Sequence, residues 1–403
     1  MKNYWLILNP DTFIWVKAKE GLVYNTKNYK LVHFNNEGLI EKLVEELLQI
    51  DNLYAVTLDN LQLSNQIIRK WVDDLLAIEC ASLIEDNGIT SRPVSLKPQL
   101  KVQDSIEYYK TKHRKKSGIQ ILSNLHTLIF HINGSKFGNE IYQRQIIYPG
   151  VDKKELSLRD IRNFIMSYED FYLLPKITLV GCLWQYSDAA SLLSFLKSLD
   201  ITISIYCTKT DFINHKHHIK PDDKVSYHIL ISDYTTECSE LFDKLEDNCN
   251  LYYDFIIASE KDCECANELI ERYHISDVSR LYPIYTKDNL SFLESNLYIE
   301  KTDLVNIRLS KRQIFAHQVL NTNFFGTLTV FPDGKVYAGD MRSEIGTIQE
   351  ELYTLVYREI TEGHSWFYTR TQKPCLECIY QELCPSPSVY EWEIGKPNLC
   401  HIK

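Results

Sequence analysis

Lys176–Tyr206 reads K-I-T-L-V-G-C-L-W-Q-Y-S-D-A-A-S-L-L-S-F-L-K-S-L-D-I-T-I-S-I-Y. Its ends, Lys176–Val180 and Ile201–Tyr206, are short and nearly continuous apolar runs. Such runs are expected of strands buried on both faces of a parallel sheet. The middle, Asp188–Leu199, has the composition of a helix. Strand, helix and strand in this order form a βαβ unit. The pattern recurs from Leu125 to Ser310, with strand candidates at Leu125–Ile132, Val225–Ile231, Tyr252–Ala258 and Arg280–Ile284. Helical stretches lie at Leu158–Ser167 and Ala266–Tyr273. The sequence therefore predicts an α/β fold, as a partial (β/α) barrel or, alternatively, a doubly wound sheet.

The flanking segments read differently. To about Asp86 the chain reads as strands followed by helices. Tyr4–Leu8, Thr12–Lys17, Leu22–Asn25 and Lys30–Phe34 are strand candidates. Gly38–Leu48 carries a stripe of Leu39, Leu43 and Leu47, running on to Ile50, and Ser64 is placed to cap a second helix. That helix would bury Ile67, Ile68, Trp71, Leu75 and Ile78. Residues 91–118 read as a linker with a basic run, Lys110–Lys116. Near the C-terminus, Gly326–Phe331 and Lys335–Ala338 flank an Asp-Gly turn and predict a hairpin, and Met341–Gln349 leads into a helix. The expected divisions are residues 1–90, the linker, 119–315 and 316–403.

The length of 403 residues suits two or three domains. A net charge of −10 argues against general nucleic-acid binding, which needs a basic surface. No run approaches membrane-span length, and Met1–Phe13 lacks the marks of a signal peptide. The expected location is the cytoplasm, where the 11 cysteines would be thiols and metal ligands.

Four of those cysteines, Cys375, Cys378, Cys384 and Cys400, form C-x2-C-x5-C-x15-C. Four thiolates this close in sequence suit one metal centre. A Pro directly after the third, Pro385, is common where iron–sulfur ligand runs end. A [4Fe–4S] cluster is expected, with Zn2+ as the alternative, since four thiolates also make a closed zinc site.

Taken together, these segments resemble SPASM-domain radical-SAM proteins that mature ribosomally made peptides, in a degenerate form. Cys384–Ser388 and Ile394–Lys403 resemble the tails of pseudo-radical-SAM partner proteins of Bacteroidales GG-type peptide systems. In such a family the first barrel strand runs into a three-cysteine loop. Here Thr127–Asn133 continues into Gly134–Tyr148 (G-S-K-F-G-N-E-I-Y-Q-R-Q-I-I-Y) without a cysteine. The motif that contacts S-adenosylmethionine is replaced by Gly181, Cys182, Leu183 and Trp184. The resemblance thus implies no S-adenosylmethionine, no radical catalysis, and a degenerate pocket at Gly181, Cys182 and Trp184 that Trp184 would plug. One auxiliary cluster would be lost, its positions falling near Asn323 or Phe324, at Gly339 and at Ser388. The second would be kept on Cys375, Cys378, Cys384 and Cys400.

The same resemblance makes residues 1–90 a winged-helix-like domain that recognises leader peptides by strand addition. The groove would be Lys30, Leu31, Val32, His33 and Phe34 against Ile68, Trp71 and Leu75. The implied function is a non-catalytic accessory protein, with a precursor peptide and a catalytic radical-SAM/SPASM maturase as partners. Alternatives are an electron-relay iron–sulfur protein, a structural zinc-binding interaction protein, or an enzyme with a pocket rebuilt around Glu140, Arg144, Trp184 and Tyr206. Cys182 and Cys207 read as buried thiols, Cys263 and Cys265 as structural, and His215, His217 and His218 as a polar surface loop.

Overall fold

A computed structural model describes residues 2–88, 92–96, 121–168, 176–219, 222, 224–234, 241–242, 249–339 and 341–402. The run Lys110–Lys116 and most of the predicted linker lie outside them. Among the described residues no helix is long and apolar enough to cross a membrane.

The N-terminal part comprises β1 (Asn3–Leu8), β2 (Thr12–Lys17), β3 (Glu20–Asn25), β4 (Leu31–Asn35), α1 (Leu39–Leu48), β5 (Ala55–Asp59), α2 (Asn60–Ser64), α3 (Gln66–Ala77) and β6 (Ala81–Asp86). Two antiparallel sheets result, ordered β5-β1-β6 and β2-β3-β4. The second is two-faced because strand side chains alternate. Ile14, Val23, Val32 and Phe34 pack toward α1 and α3. Phe13, Trp15, Leu22, Tyr24 and Leu31 pack instead on Ile379, Tyr380, Leu383 and Cys384.

Several predicted details shift. α1 buries Ile40, Leu43, Val44 and Leu47, whereas Leu39 and Ile50 are exposed. The sheet contacts a face one position round from the Leu39 row. Ser64 ends α2, and it is Asn65 that caps α3, accepting from the backbone of Ile67 and Ile68. Ile67 points outward.

Gly21 pairs with Phe34, whose ring lies where a side chain would stand. A Cβ there would meet Phe34 Cζ at 2.0 Å. Gly21→Val is therefore expected to displace Phe34 from Trp71 and cost about 1–3 kcal/mol, as overpacking typically does. Urea unfolding checks this; an unchanged midpoint would show that the ring has room to move.

The main sheet is built from β7 (Thr127–His131), β8 (Lys176–Val180), β9 (Thr202–Thr208), β10 (Val225–Ile231), β11 (Asn250–Ile257) and β12 (Ser279–Pro283), all parallel. Between and after them lie α4 (Glu140–Gln143), α5 (Leu158–Met166), α6 (Ala189–Ser198), α7 (Lys209–His215), α8 (Glu260–Tyr273), α9 (Leu290–Asn296), α10 (Lys301–Val305) and α11 (Lys311–Val319). The strands follow one another across the sheet in chain order. With no reversal, right-handed crossovers bring helices to one face, unlike a doubly wound sheet. Phe164, Leu192, Leu196, Phe212 and Ala266 of those helices join Phe130, Leu179, Ile205 and Phe255 of the strands in the largest core. The opposite face carries Ile129, Val180, Tyr206, Leu230, Ile256 and Ile284.

The C-terminal part extends this sheet. β13 (Thr327–Val330) pairs parallel with β7, and β14 (Lys335–Tyr337) and β15 (Glu344–Thr347) follow antiparallel. β15 falls within the segment read as a lead-in to a helix. α12 (Leu352–Glu362) and α13 (Val389–Ile394) complete the chain.

Candidate functional site

The carboxyl end of the sheet's open face is filled by the segment that follows β7. Tyr142, Ile146, Ile147 and Tyr148 pack on Val180, Tyr206, Leu230, Ile256 and Ile284. Gln145 fastens this plug to the end of β12: its Nε2 donates to Tyr285 O and its Oε1 accepts from Tyr285 N, both at 2.8 Å. Tyr148 Oη lies 3.3 Å from Ser232 Oγ.

Trp184 does not plug this mouth, contrary to expectation. It packs with the helix-side core, its ring stacked on His215 at 5.3 Å. The cause is the backbone at Gly181. Its φ of 130° turns the chain away, and a Cβ there would meet Asn133 Oδ1 at 2.3 Å. Asn133 Nδ2 holds the turn by donating to Cys182 O at 3.0 Å. Cys182 and Cys207 are buried thiols. Burial, and then the Asp211 carboxylate, push Cys182 up to about 12, so it is no nucleophile at neutral pH. Glu140 and Arg144 lie near the mouth, in separate recesses, and do not converge with Trp184.

Asn323, Phe324, Gly339 and Ser388, the positions of the lost auxiliary site, do lie together along one cavity. The space beside Gly339 is taken by Phe324, which stacks on Trp392 at 5.1 Å. Arg342 covers Trp392, 3.5 Å from its ring centre.

The four cysteines of the C-terminal motif are brought together. Cys375, Cys378, Cys384 and Cys400 all line one pocket of about 470 Å³. Local structure explains how. Cys375 starts a single 3-10 turn that ends at Cys378. Cys384 follows the Tyr380–Leu383 turn, and Cys400 is held by a bridge to Ile299. Polar groups already face the sulfurs. Asn398 Nδ2 lies 2.9 Å from Cys400 Sγ, and Arg370 Nη1 lies 3.8 Å from Cys375 Sγ. Burial raises the Cys375 and Cys378 thiols and takes Cys384 up to about 12; Arg370 opposes this at Cys375 and Cys384.

The donor set is all sulfur, which suits zinc or an iron–sulfur cluster. Among the described residues no three His, Cys, Asp or Glu side chains are gathered as ligands of a single ion. The four thiols instead stand around a space.

The predicted peptide strand borders the same pocket. His33 lines it with Glu20, and His33 Nε2 lies 2.8 Å from Tyr380 Oη. β4 is an edge strand of its sheet. Asn25 N donates to Lys30 O and Asn36 N to Lys19 O, so the inward-bonded residues of the strand are Lys30, Val32 and Phe34. By alternation the backbone groups of Leu31, His33 and Asn35 point to the free edge. Ile68, Trp71 and Leu75 are buried in the core beneath β4, with Trp71 5.7 Å from Phe34. They support the strand and do not face an open groove. Sequence reasoning missed Arg370 and Glu391, whose buried ion pair stands behind Cys375, because neither belongs to the cysteine motif.

No protein-family model matches the chain, and no curated protein matches it. Among solved structures it is similar to Streptococcus suis SuiB bound to precursor peptide SuiA, with TM-score 0.44 and 10% identity over 99% of each chain. SuiB bound to S-adenosylmethionine gives TM-score 0.44 and 11% identity over 97% of each chain.

Proposed function

We propose that this chain is a non-catalytic accessory protein in the maturation of a ribosomally made peptide. It holds the precursor peptide by strand addition on β4, works beside a catalytic radical-SAM maturase in the cytoplasm, and carries one [4Fe–4S] cluster on Cys375, Cys378, Cys384 and Cys400. The main sheet is then a partial (β/α) barrel kept as a scaffold. The observation that carries this reading is the position of β4. It is an edge strand whose Leu31, His33 and Asn35 backbone groups do not bond to β3, with Val32 and Phe34 turned to the core beside α3 and His33 to the cysteine pocket. The non-catalytic part is supported by the cysteine-free plug across the sheet's carboxyl end. When bound, the cluster supplies one-electron redox chemistry. Cys378 and Cys400 are partly exposed, which favours electron relay to the maturase as the second reading.

The test is hydrogen exchange on the intact chain with a short precursor peptide. Binding should slow the amides of Leu31, His33 and Asn35, while Val32 and Phe34, already bonded to β3, change little. Protection elsewhere, with these three amides unchanged, would remove strand addition on β4. Iron and zinc analysis of anaerobically purified protein decides the metal; zinc alone excludes the relay.

A further inference from the structure

The open face of the main sheet holds a second feature, away from the cysteine pocket and from β4. Below the plug lies a cavity of about 650 Å³, within the range of small-molecule sites. Its lining includes Lys176 at the start of β8 and Asp254 in the middle of β11.

Asp254 is fully buried. One oxygen, Oδ2, accepts from His228 Nδ1 at 3.0 Å. His228 is itself held flat between Tyr206 and Tyr252, at ring distances of 4.2 and 4.8 Å. The other oxygen, Oδ1, has no hydrogen-bond partner among the described residues. An unpaired buried carboxylate oxygen is costly, so a donor is missing at this point. Lys176 is half-buried, and among the described residues it forms no ion pair. Burial, and then Arg280, lower its pKa, and Asp254 opposes them. One cavity thus holds a lysine with no ion pair among the described residues and a carboxylate oxygen with no donor.

We propose that this cavity binds a ligand carrying a carboxylate with an N–H group a few bonds away, the chemistry of a peptide's carboxyl end or of a free amino acid. The carboxylate sits against Lys176 Nζ, and the N–H donates to Asp254 Oδ1. Tyr206 supplies an apolar wall between them. This reading does not depend on a cluster in the cysteine pocket, or on strand addition at β4.

NMR titration of the full chain with N-acetylglycylglycine, its carboxamide and glycine tests it. The acid should bind at least about tenfold more tightly than the carboxamide, a difference of about 1.4 kcal/mol. Glycine binding more tightly than the acetylated dipeptide would assign the free amino acid as the source; the reverse order assigns the peptide end. Lys176→Met should abolish the preference for acid over carboxamide. Asp254→Asn should weaken binding of every probe. Because Asp254→Asn also touches His228, the decisive variant is Lys176→Met, which removes no ion pair among the described residues. Absence of binding by all three probes, or an unchanged acid preference in Lys176→Met, overturns the proposal.

Discussion

Arg370→Met is expected to destabilise the chain by about 3–5 kcal/mol, the usual consequence of stripping one partner from a buried ion pair. Arg370 Nη2 lies 2.9 Å from Glu391 Oε1, with side-chain exposures of 7% and 4%. Arg370 Nε also donates to Pro385 O at 2.6 Å. Burial opposes the guanidinium charge, but Glu391 and the neighbouring thiols outweigh it and hold the pKa above its ordinary value. Glu391 also acts on the backbone, where its Oε2 accepts from Ser388 N at 2.9 Å and so starts α13. Methionine would fill the volume but leave that carboxylate charged and dry. The double variant Arg370→Met, Glu391→Leu should recover part of the loss, since neither charge is then stranded. Urea unfolding followed by tryptophan fluorescence measures all three chains. A single-variant loss below about 1 kcal/mol, the scale of an exposed pair, would show that water reaches this pair.

The second large effect is on acid stability. His131 is buried at the end of β7, stacked on Phe331 at 4.5 Å, with Gln143 Nε2 3.2 Å from its Nδ1. Burial lowers its pKa from the ordinary 6.5 to about 3. The unfolded chain therefore takes up a proton below about pH 6.5 that the folded chain refuses until about pH 3. Stability from this group is complete above pH 6.5 and falls as the pH drops through that window. The loss at pH 4 is on the order of 3 kcal/mol, at 1.36 kcal/mol per pH unit. His131→Gln keeps a neutral polar group and should lose correspondingly less between pH 7 and pH 4. Equal losses in the two chains would mean that His131 is protonated in the folded state.

The βα alternation was legible because strands covered on both faces must be apolar at nearly every position. Lys176–Val180 and Val225–Ile231 are read to the residue for that reason. β5 and β6 were not: A-V-T-L-D and A-S-L-I-E-D are short, partly exposed outer strands of a three-stranded sheet, and carry too little alternation. The cysteine pocket was legible as a set of ligands because its spacing is local for three of the four. Its wall was not. His33 Nε2 lies 2.8 Å from Tyr380 Oη, far away in the chain, a contact no local pattern reveals. Trp184 was misplaced because its direction is set by one backbone angle at Gly181, and side-chain chemistry is silent about that.

The pairing of β13 with β7 has a consequence for how the protein is made. β7 has β8 on one side and β13 on the other. On the ribosome, β8 emerges soon after β7, but β13 follows only after roughly 200 further residues, on the order of 10–40 s of synthesis at common rates. Throughout that interval one edge of an apolar strand, T-L-I-F-H, stands open in the nascent chain. An open apolar edge invites pairing with other chains. Chaperone capture during translation would therefore centre on Thr127–His131, and end once Thr327–Val330 has left the exit tunnel.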